Sequence, residues 1–207
     1  DSDIFIYNLE SDTTNNICKD NHNFAFKGYD KYPVWSPSGT KIAFRSQERE
    51  GNESDKERLM IYDLNSGEVK YLTKDFDYHA TNVVWAGEDL IYFIAPIEAT
   101  HQICRVETNG LSAVQDITKG DHDINSFALC KDKCVGSVMT ISMAPELFVF
   151  DLCDGAMTQL TNVNKFVYDN IKMGEVQKRW VKPTDGKVCS PVNGTVDTMF
   201  ETGHAVT

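Results

Sequence analysis

A short pattern recurs four times along the chain and restricts the folds that it can adopt. Each copy is a run of large apolar residues, a polar turn and a closing aliphatic–threonine or similar pair. The four closing pairs are Ile17-Cys18, Leu72-Thr73, Ile117-Thr118 and Leu160-Thr161. The last three recur within the roughly 40 to 50 residues that make one four-stranded propeller blade. The repeat predicts an all-β array of blades that end near residues 18, 73, 118 and 161.

A second unit lies between these pairs and supplies the other half of each blade. Residues 32–44, 82–93 and 125–138 each contain an apolar run, a short polar turn and another apolar run, which is typical of a hairpin. Trp35 and Trp85 occupy the same place before the turn of the first two hairpins. We therefore expect both indoles to be buried at equivalent positions between neighbouring blades.

Composition excludes two classes of function. The net charge of −11 argues against nucleic-acid binding, which depends on clustered Lys and Arg. No apolar run approaches the roughly 18 residues that a membrane-spanning helix needs. The compartment is left open, with a periplasmic or extracellular location slightly favoured over the cytoplasm.

The run Trp-Ser-Pro-Ser-Gly-Thr-Lys-Ile-Ala-Phe at residues 35–44 resembles the blade motif of TolB-type propellers and of the propeller in prolyl oligopeptidase family serine peptidases. The charged stretch 46–59 resembles a loop of the bacterial dipeptidyl and acylaminoacyl peptidases of that family. Residues 142–148 resemble their Ser-x-x-x-Pro-Glu-Leu-Tyr run, and residues 174–187 resemble the opening strands of the α/β-hydrolase domain that follows the propeller. These landmarks stand in the family's order.

This resemblance implies a partial β-propeller of about three to four four-stranded antiparallel blades over residues 1–170. Residues 171–188 would form a linker and entry strands of the hydrolase domain, and the divergent residues 189–207 are expected to be poorly ordered. No Gly-x-Ser-x-Gly nucleophile elbow occurs in the 207 residues, so this chain should not itself be an enzyme. We expect a substrate-gating part of a serine exopeptidase, truncated before its catalytic domain, and no cofactor.

Two other readings remain open at this stage. A TolB-like propeller would only present a surface to a protein partner, and it gives no reason for a hydrolase-like stretch at residues 174–187. A propeller-fold polysaccharide lyase is weaker still, because no metal-binding His/Arg/Gln set is evident. In the peptidase reading, the partners are the hydrolase domain of the same parent chain and a peptide substrate within the propeller chamber.

The charged stretch and the residue just before it supply the candidate site residues. Loops on the hydrolase-facing side of the resembled peptidases shape the substrate chamber, so Arg45, Arg49 and Glu53 are candidates to contact peptide termini. The alternative is a solvated hairpin tip with alternating charges. Long loops in compact domains are often functional.

Cysteine and histidine residues offer little chemistry. No Cys-x-x-Cys pair or paired histidine motif occurs, so no metal ligands are assigned. Cys130 and Cys134 flank a short turn and could form a disulfide across a hairpin, with free thiols as the favoured alternative.

An incomplete propeller also predicts exposed blade ends. If the strand alternation places Ile4, Ile6, Phe148 and Phe150 on the outer faces, self-association through these faces is expected.

Overall fold

The computed structural model describes residues 2–19, 24, 27–51, 54–130 and 133–178. Fourteen strands and one short helix form within these residues, and all strand pairs between them are antiparallel. The elements are β1 (Phe5–Asn8), β2 (Thr13–Asn16), β3 (Asp30–Trp35), β4 (Lys41–Ser46), β5 (Arg58–Asp63), β6 (Val69–Tyr71), β7 (Thr81–Trp85), β8 (Leu90–Ile97), β9 (Thr100–Glu107), β10 (Gln115–Asp116), β11 (Asp123–Cys130), β12 (Lys133–Thr140), β13 (Met143–Phe150), β14 (Met157–Gln159) and α1 (Lys165–Tyr168).

The strands form three complete blades and one pair. The first blade is β3-β4-β5-β6, the second is β7-β8-β9-β10 and the third is β11-β12-β13-β14, while β1 and β2 pair alone. Consecutive strands are neighbours throughout, as in a propeller blade. The predicted partial propeller is confirmed. One compact unit ends at Met173, and residues 174–178, the described part of the second unit, contain no helix or strand.

The closing pair of each repeat performs the same task in each blade. The threonine hydroxyl accepts a hydrogen bond from the backbone N–H of the blade's third strand, as in Leu59–Thr73 (3.0 Å), Ile103–Thr118 (2.9 Å) and Leu147–Thr161 (2.9 Å). In the incomplete first copy, the thiol of Cys18 takes this role and accepts from the N–H of Ile4 at 3.4 Å. The repeated pair in the sequence therefore marks a repeated hydrogen bond, which joins the threonine after the fourth strand to the third strand of the same blade. We call this hydrogen bond the clasp.

The core lies between blades rather than inside any one of them. In β8, Ile91 and Phe93 pack toward the first blade, while Tyr92 and Ile94 pack toward the third. All four side chains are nearly inaccessible to solvent because successive residues of a strand point to opposite faces of the sheet. Each blade thus depends on its neighbours for burial.

The two tryptophans do not share the same environment. The indole of Trp85 is half-buried, packs between the first and second blades, and donates a hydrogen bond from Nε1 to the carbonyl of Val34 at 3.1 Å. Trp35 is 50% exposed, so the prediction of two buried indoles was wrong. In the part of the chain that the structure describes, only the pair β1-β2 precedes the first blade. A preceding blade's first and second strands, which would cover Trp35, are therefore not among the described strands.

The residues on the outer faces of the array are also not the predicted ones, because the alternate residues of the same strands face outward. Ile4 and Phe150 are buried, and Ile6 and Phe148 pack partly against the interblade cores. The exposed faces carry instead Phe5 and Tyr7 on β1 and Leu147 on β13, with Leu160 beside Leu147. Both alternating sets of residues are apolar, and a shift of one position exchanges the two faces of a strand. The sequence pattern therefore could not choose between them.

Glu146 gives a structural role to the run at residues 142–148. Its buried carboxylate accepts hydrogen bonds from the hydroxyl of Thr161 and from the backbone N–H groups of Val163 and Asn164. The hydrogen bond from Thr161 is the largest influence that lowers the pKa of this carboxyl. Glu146 therefore fastens the segment after β14 onto β13. In the described ranges, no helix has the length and apolar character to cross a bilayer.

Removing the threonine hydroxyl of one clasp should lower the stability of the protein. Thr118→Val leaves the N–H of Ile103 without its acceptor in a buried place, which should lower the free energy of unfolding by about 1–3 kcal/mol. Thr118→Ser keeps the hydroxyl and should lose less. Urea unfolding of both variants, with the exposed Thr158→Val as a control, checks the prediction; equal stability of the Val and Ser variants would contradict it.

The exposed outer faces predict self-association of the isolated chain. Leu147→Lys combined with Leu160→Lys places charges on the third blade's free side and should shift sedimentation toward a monomer. Leu111→Lys, at a residue that is 91% exposed between β9 and β10, is the matched control and should leave the distribution unchanged. A monodisperse wild-type monomer at tens of micromolar would show that the exposed faces do not drive association.

Candidate functional site

The candidate site lies where the inner strands begin. β3, β7 and β11 are each the first strand of a blade, and each forms one edge of its sheet. Because neighbouring strands are antiparallel, the beginning of β3 lies at the same end of the blade as the end of β4 and the connection 47–57. This end therefore carries Arg45 and the charged stretch that the sequence singled out.

Irregular backbone marks the inner strands at this end. The register shifts between Lys31 and Val34 in β3 and between Thr81 and Val84 in β7, so each strand contains a bulge. Within the bulges, Tyr32 has φ 56° and Asn82 has φ 47°. Asn tolerates the left-handed region, but for a bulky residue such as Tyr32 it is an outlier that costs of order 1–3 kcal/mol. Strain of this kind clusters at functional sites.

The bulges border a cavity of about 330 Å³, which we call the inner-strand pocket. Its walls are Tyr32, Val34 and Arg45 from the first blade, Asn82, Val83 and Val84 from the second and Phe127 from the third. The side-chain amide of Asn82 donates to the carbonyl of Phe127 at 3.2 Å and so joins the second blade to the third. The pocket is mainly apolar, with one cation at its wall.

Arg45 is held in place on two sides. Its guanidinium lies 3.7 Å from the centre of the Tyr32 ring and forms an ion pair with Glu57 at 2.5 Å. The Arg45 side chain is only 13% exposed. Stacking on an aromatic face and pairing with a carboxylate both suit the planar guanidinium. The charge of Arg45 is therefore already compensated inside the protein.

The described residues of the connection 47–57, which are 47–51 and 54–57, are held by internal hydrogen bonds. Asp55 is buried and accepts hydrogen bonds from the backbone N–H groups of Glu48 (2.8 Å) and Arg49 (3.1 Å) and from the guanidinium of Arg58 (3.3 Å). Burial alone would raise the pKa of the Asp55 carboxyl, but these hydrogen bonds outweigh it, so that pKa lies below its usual value. The N–H of Glu57 also donates to Nδ1 of His79 at 3.0 Å.

The predicted site residues separate into different environments. Arg45 lines the pocket, while Arg49 is 68% exposed and lies 3.6 Å from Asp55. Glu53 lies outside the described residues. A contact between these residues and peptide termini stays a prediction.

The hairpin β11-β12 does not bring Cys130 and Cys134 together. The register places Cys130 opposite Lys133 and Cys134 opposite Leu129, and both cysteines are free thiols. The considered disulfide is therefore not formed, because the two residues are out of register. Among the residues with described positions, no three His, Cys, Asp or Glu side chains gather into a metal-binding group.

Sequence reasoning missed Tyr32, Glu57 and Asn82. One signal was available, because Tyr32 and Asn82 each stand three positions before their blade's tryptophan. That shared offset, however, does not predict a positive φ at either position, because neither Tyr nor Asn requires one. Glu57 could not be paired with Arg45 without knowing the register of β4 and β5.

Curated relatives of this chain are peptidases. The chain is 36% identical over 186 residues to dipeptidyl-peptidase 5 of Porphyromonas gingivalis. The aligned region covers 89% of this chain and 26% of that protein. It is 31% identical over 187 residues to dipeptidyl-peptidase 5 of Porphyromonas endodontalis, with 90% and 26% covered. The chain thus spans about a quarter of the length of these relatives.

Solved structures share the fold. The Pyrococcus horikoshii acylaminoacyl peptidase matches with a TM-score of 0.66 at 22% identity, over 88% of this chain and 26% of that one. The β-propeller domain of the trilobed protease from Pyrococcus furiosus matches with a TM-score of 0.57 at 23% identity, over 78% and 44%. TolB from Acinetobacter baumannii matches with a TM-score of 0.50 at 20% identity, over 77% and 37%.

One family model matches a different part of the chain. Residues 148–207 match the model described as phosphoenolpyruvate-dependent sugar phosphotransferase system, EIIA 1. The match includes residues 174–187, which sequence analysis assigned to hydrolase entry strands, and the tail 189–207. Residues 179–207 lie outside the described part of the chain, so the entry-strand assignment stays a prediction with a competitor.

The two dipeptidyl-peptidase 5 relatives match about nine-tenths of the chain, and its blades share the fold of the peptidase propellers. The chain is therefore similar, over nearly all of its length, to a propeller segment of the dipeptidyl and acylaminoacyl peptidases.

Proposed function

We propose that this chain is the substrate-gating propeller part of a serine exopeptidase whose catalytic domain is carried by another region of the same polypeptide. The observation that carries the proposal is the 36% identity to dipeptidyl-peptidase 5 over nearly the whole chain. Acyl transfer by such an enzyme needs a positioned nucleophile, a base and an oxyanion hole. The contribution of this chain is binding and access.

The charged-stretch end is the side that we assign to substrate. It combines strained inner strands, the inner-strand pocket and a connection held by the buried Asp55. A connection fixed in this way can exclude large substrates, because it does not move aside at low cost. The turns at the opposite end, such as 36–40 and 151–156, have no comparable buried carboxylate among their described residues.

A second candidate is a TolB-like module that binds a protein partner through its blades. The fold match to TolB favours it, although at lower similarity than the peptidase matches. The two functions differ in whether a serine hydrolase domain follows the propeller in the full gene product.

The phosphotransferase match favours a further arrangement, in which an EIIA-type domain follows the propeller segment after β14, the last strand of the third blade. Incubating the full-length protein with phosphoenolpyruvate and the phosphotransfer proteins of a bacterial extract tests it. Phosphoenolpyruvate-dependent labelling of the protein would support this arrangement, and labelling no greater than in a reaction without the protein would dismiss it.

The isolated 207 residues should hydrolyse no dipeptidyl or acylaminoacyl 4-nitroanilide above background. The reason is that no Gly-x-Ser-x-Gly elbow is present to position a nucleophile. Turnover that follows the purified chain through chromatography and is blocked by a serine-directed fluorophosphonate would contradict the prediction.

Gating is tested in the full-length peptidase with Asp55→Ala. The substitution removes the acceptor of the Glu48 and Arg49 amides, so the connection 47–57 should loosen and admit longer peptides. We expect kcat/KM for a long peptide to rise about threefold or more relative to a dipeptidyl 4-nitroanilide, a change of about 0.7 kcal/mol or more.

Asp154→Ala is the matched control, since it removes the same charge from a turn at the opposite end of the third blade. It should leave the ratio of long to short substrates unchanged. If Asp55→Ala also leaves the ratio unchanged while the melting temperature shows a folded protein, the connection does not gate access.

A further inference from the structure

The inner-strand pocket has the volume of a small ligand site. Its 330 Å³ falls at the lower end of the range of roughly 300–1,000 Å³ that is typical of such sites. Three blades contribute to its walls, so its shape is fixed by the packing between blades rather than by a single loop. A pocket of this size accommodates one large side chain of a peptide rather than a long segment.

The walls select against charge. Val34, Val83, Val84 and Phe127 supply apolar surface, and the one cation, Arg45, already pairs with Glu57. A ligand carboxylate would have to compete with Glu57 for the guanidinium. A cationic ligand would meet no carboxylate among the lining residues. An uncharged group therefore fits the pocket best.

The walls also favour aromatic over aliphatic groups. The Arg45 guanidinium lies over the Tyr32 ring, 3.7 Å from its centre, and forms an ion pair with Glu57. A guanidinium held at a pocket wall offers a cation–π contact to a further ring. Phe127 adds a second ring on the third blade.

The backbone at the bulges can hold the rest of a peptide. Tyr32 and Asn82 fall in the gaps of the strand registers. One edge of β7 pairs with no other described strand, whereas the matching edge of β3 already donates from the N–H of Asp30 to Ser2 and accepts at the carbonyl of Val34 from Trp85. An extended peptide can pair with an edge such as that of β7, while a pocket beside it receives one side chain. The positive φ at both bulges then has a use, because it shapes the rim of the pocket.

We infer that the inner-strand pocket is a subsite for an aromatic side chain of a bound peptide, with the guanidinium plane of Arg45 as its selective contact. The inference rests on the proposed function, since it names the kind of peptide side chain that the gating end receives. It is independent of catalysis, because binding at the pocket needs no hydrolase domain.

Saturation-transfer difference NMR on the 207-residue chain tests the subsite, since the method detects weak ligands on self-associated protein. The probes are N-acetyl-phenylalanine amide, N-acetyl-leucine amide and N-acetyl-aspartate amide. We expect a saturable signal for the phenylalanine probe, a signal about threefold weaker for the leucine probe and none for the aspartate probe. Equal signals for all three probes, or no saturable signal for phenylalanine, would overturn the inference.

Three variants locate the signal. Val34→Phe fills the pocket and should abolish binding of the phenylalanine probe, whereas Val163→Phe on the exposed surface should not. Arg45→Met should remove the preference for phenylalanine over leucine. Thermal melts check that each variant is folded; if Val34→Phe is not, the Arg45→Met result decides, and an unchanged preference there contradicts the role of Arg45.

The full-length protein separates this inference from the proposed function. If it is a peptidase, Arg45→Met should raise KM for peptides with an aromatic residue about threefold relative to those with leucine, with little change in kcat. Aromatic probes that bind a full-length protein without peptidase activity would retain the subsite and reject the exopeptidase. Peptidase activity without probe binding would support the exopeptidase and reject the subsite.

Discussion

Packing between blades is the interaction on which the rest of this structure depends. The central strands of the second blade are buried on both faces, as Tyr92 and Phe93 of β8 illustrate by packing against different neighbouring blades. No blade therefore has a core of its own, and the position of any residue near the inner strands is fixed only when neighbouring blades are in place. Trp35 is exposed whereas its counterpart Trp85 is half-buried, because no such neighbour of the first blade lies among the described residues.

The site inherits its geometry from this packing. The inner-strand pocket draws walls from three blades, and Arg45 reaches it from β4 through contacts with Tyr32 and Glu57 in the same blade. The charged connection is positioned separately by the buried Asp55 and the guanidinium of Arg58. A connection held by a buried carboxylate and a pocket at the same end of the blades would suit the proposed gate, because access and recognition would then occupy the same surface.

The sequence predicted the repeating parts well and the local exceptions poorly. The closing threonines, such as Thr118, and the hairpins sufficed to give the blades, since they satisfy the same hydrogen bonds in each copy. The faces of the terminal strands could not be predicted, because Phe5 and Ile6 are both apolar and only neighbouring blades choose between them. The pocket was missed because its bulges depend on register shifts that leave no mark in the residue types.

The central claim is that the end of the propeller carrying the charged stretch faces bound peptide in the full-length protein. Hydrogen–deuterium exchange of that protein, with and without a peptidyl fluorophosphonate bound at the catalytic serine, tests it most directly. The account predicts slower exchange on inhibitor binding at residues 45–57 and 81–84, and unchanged exchange in the turns 64–68 and 151–156 at the opposite end. Protection confined to those turns, or absent from residues 45–57 and 81–84, would contradict it.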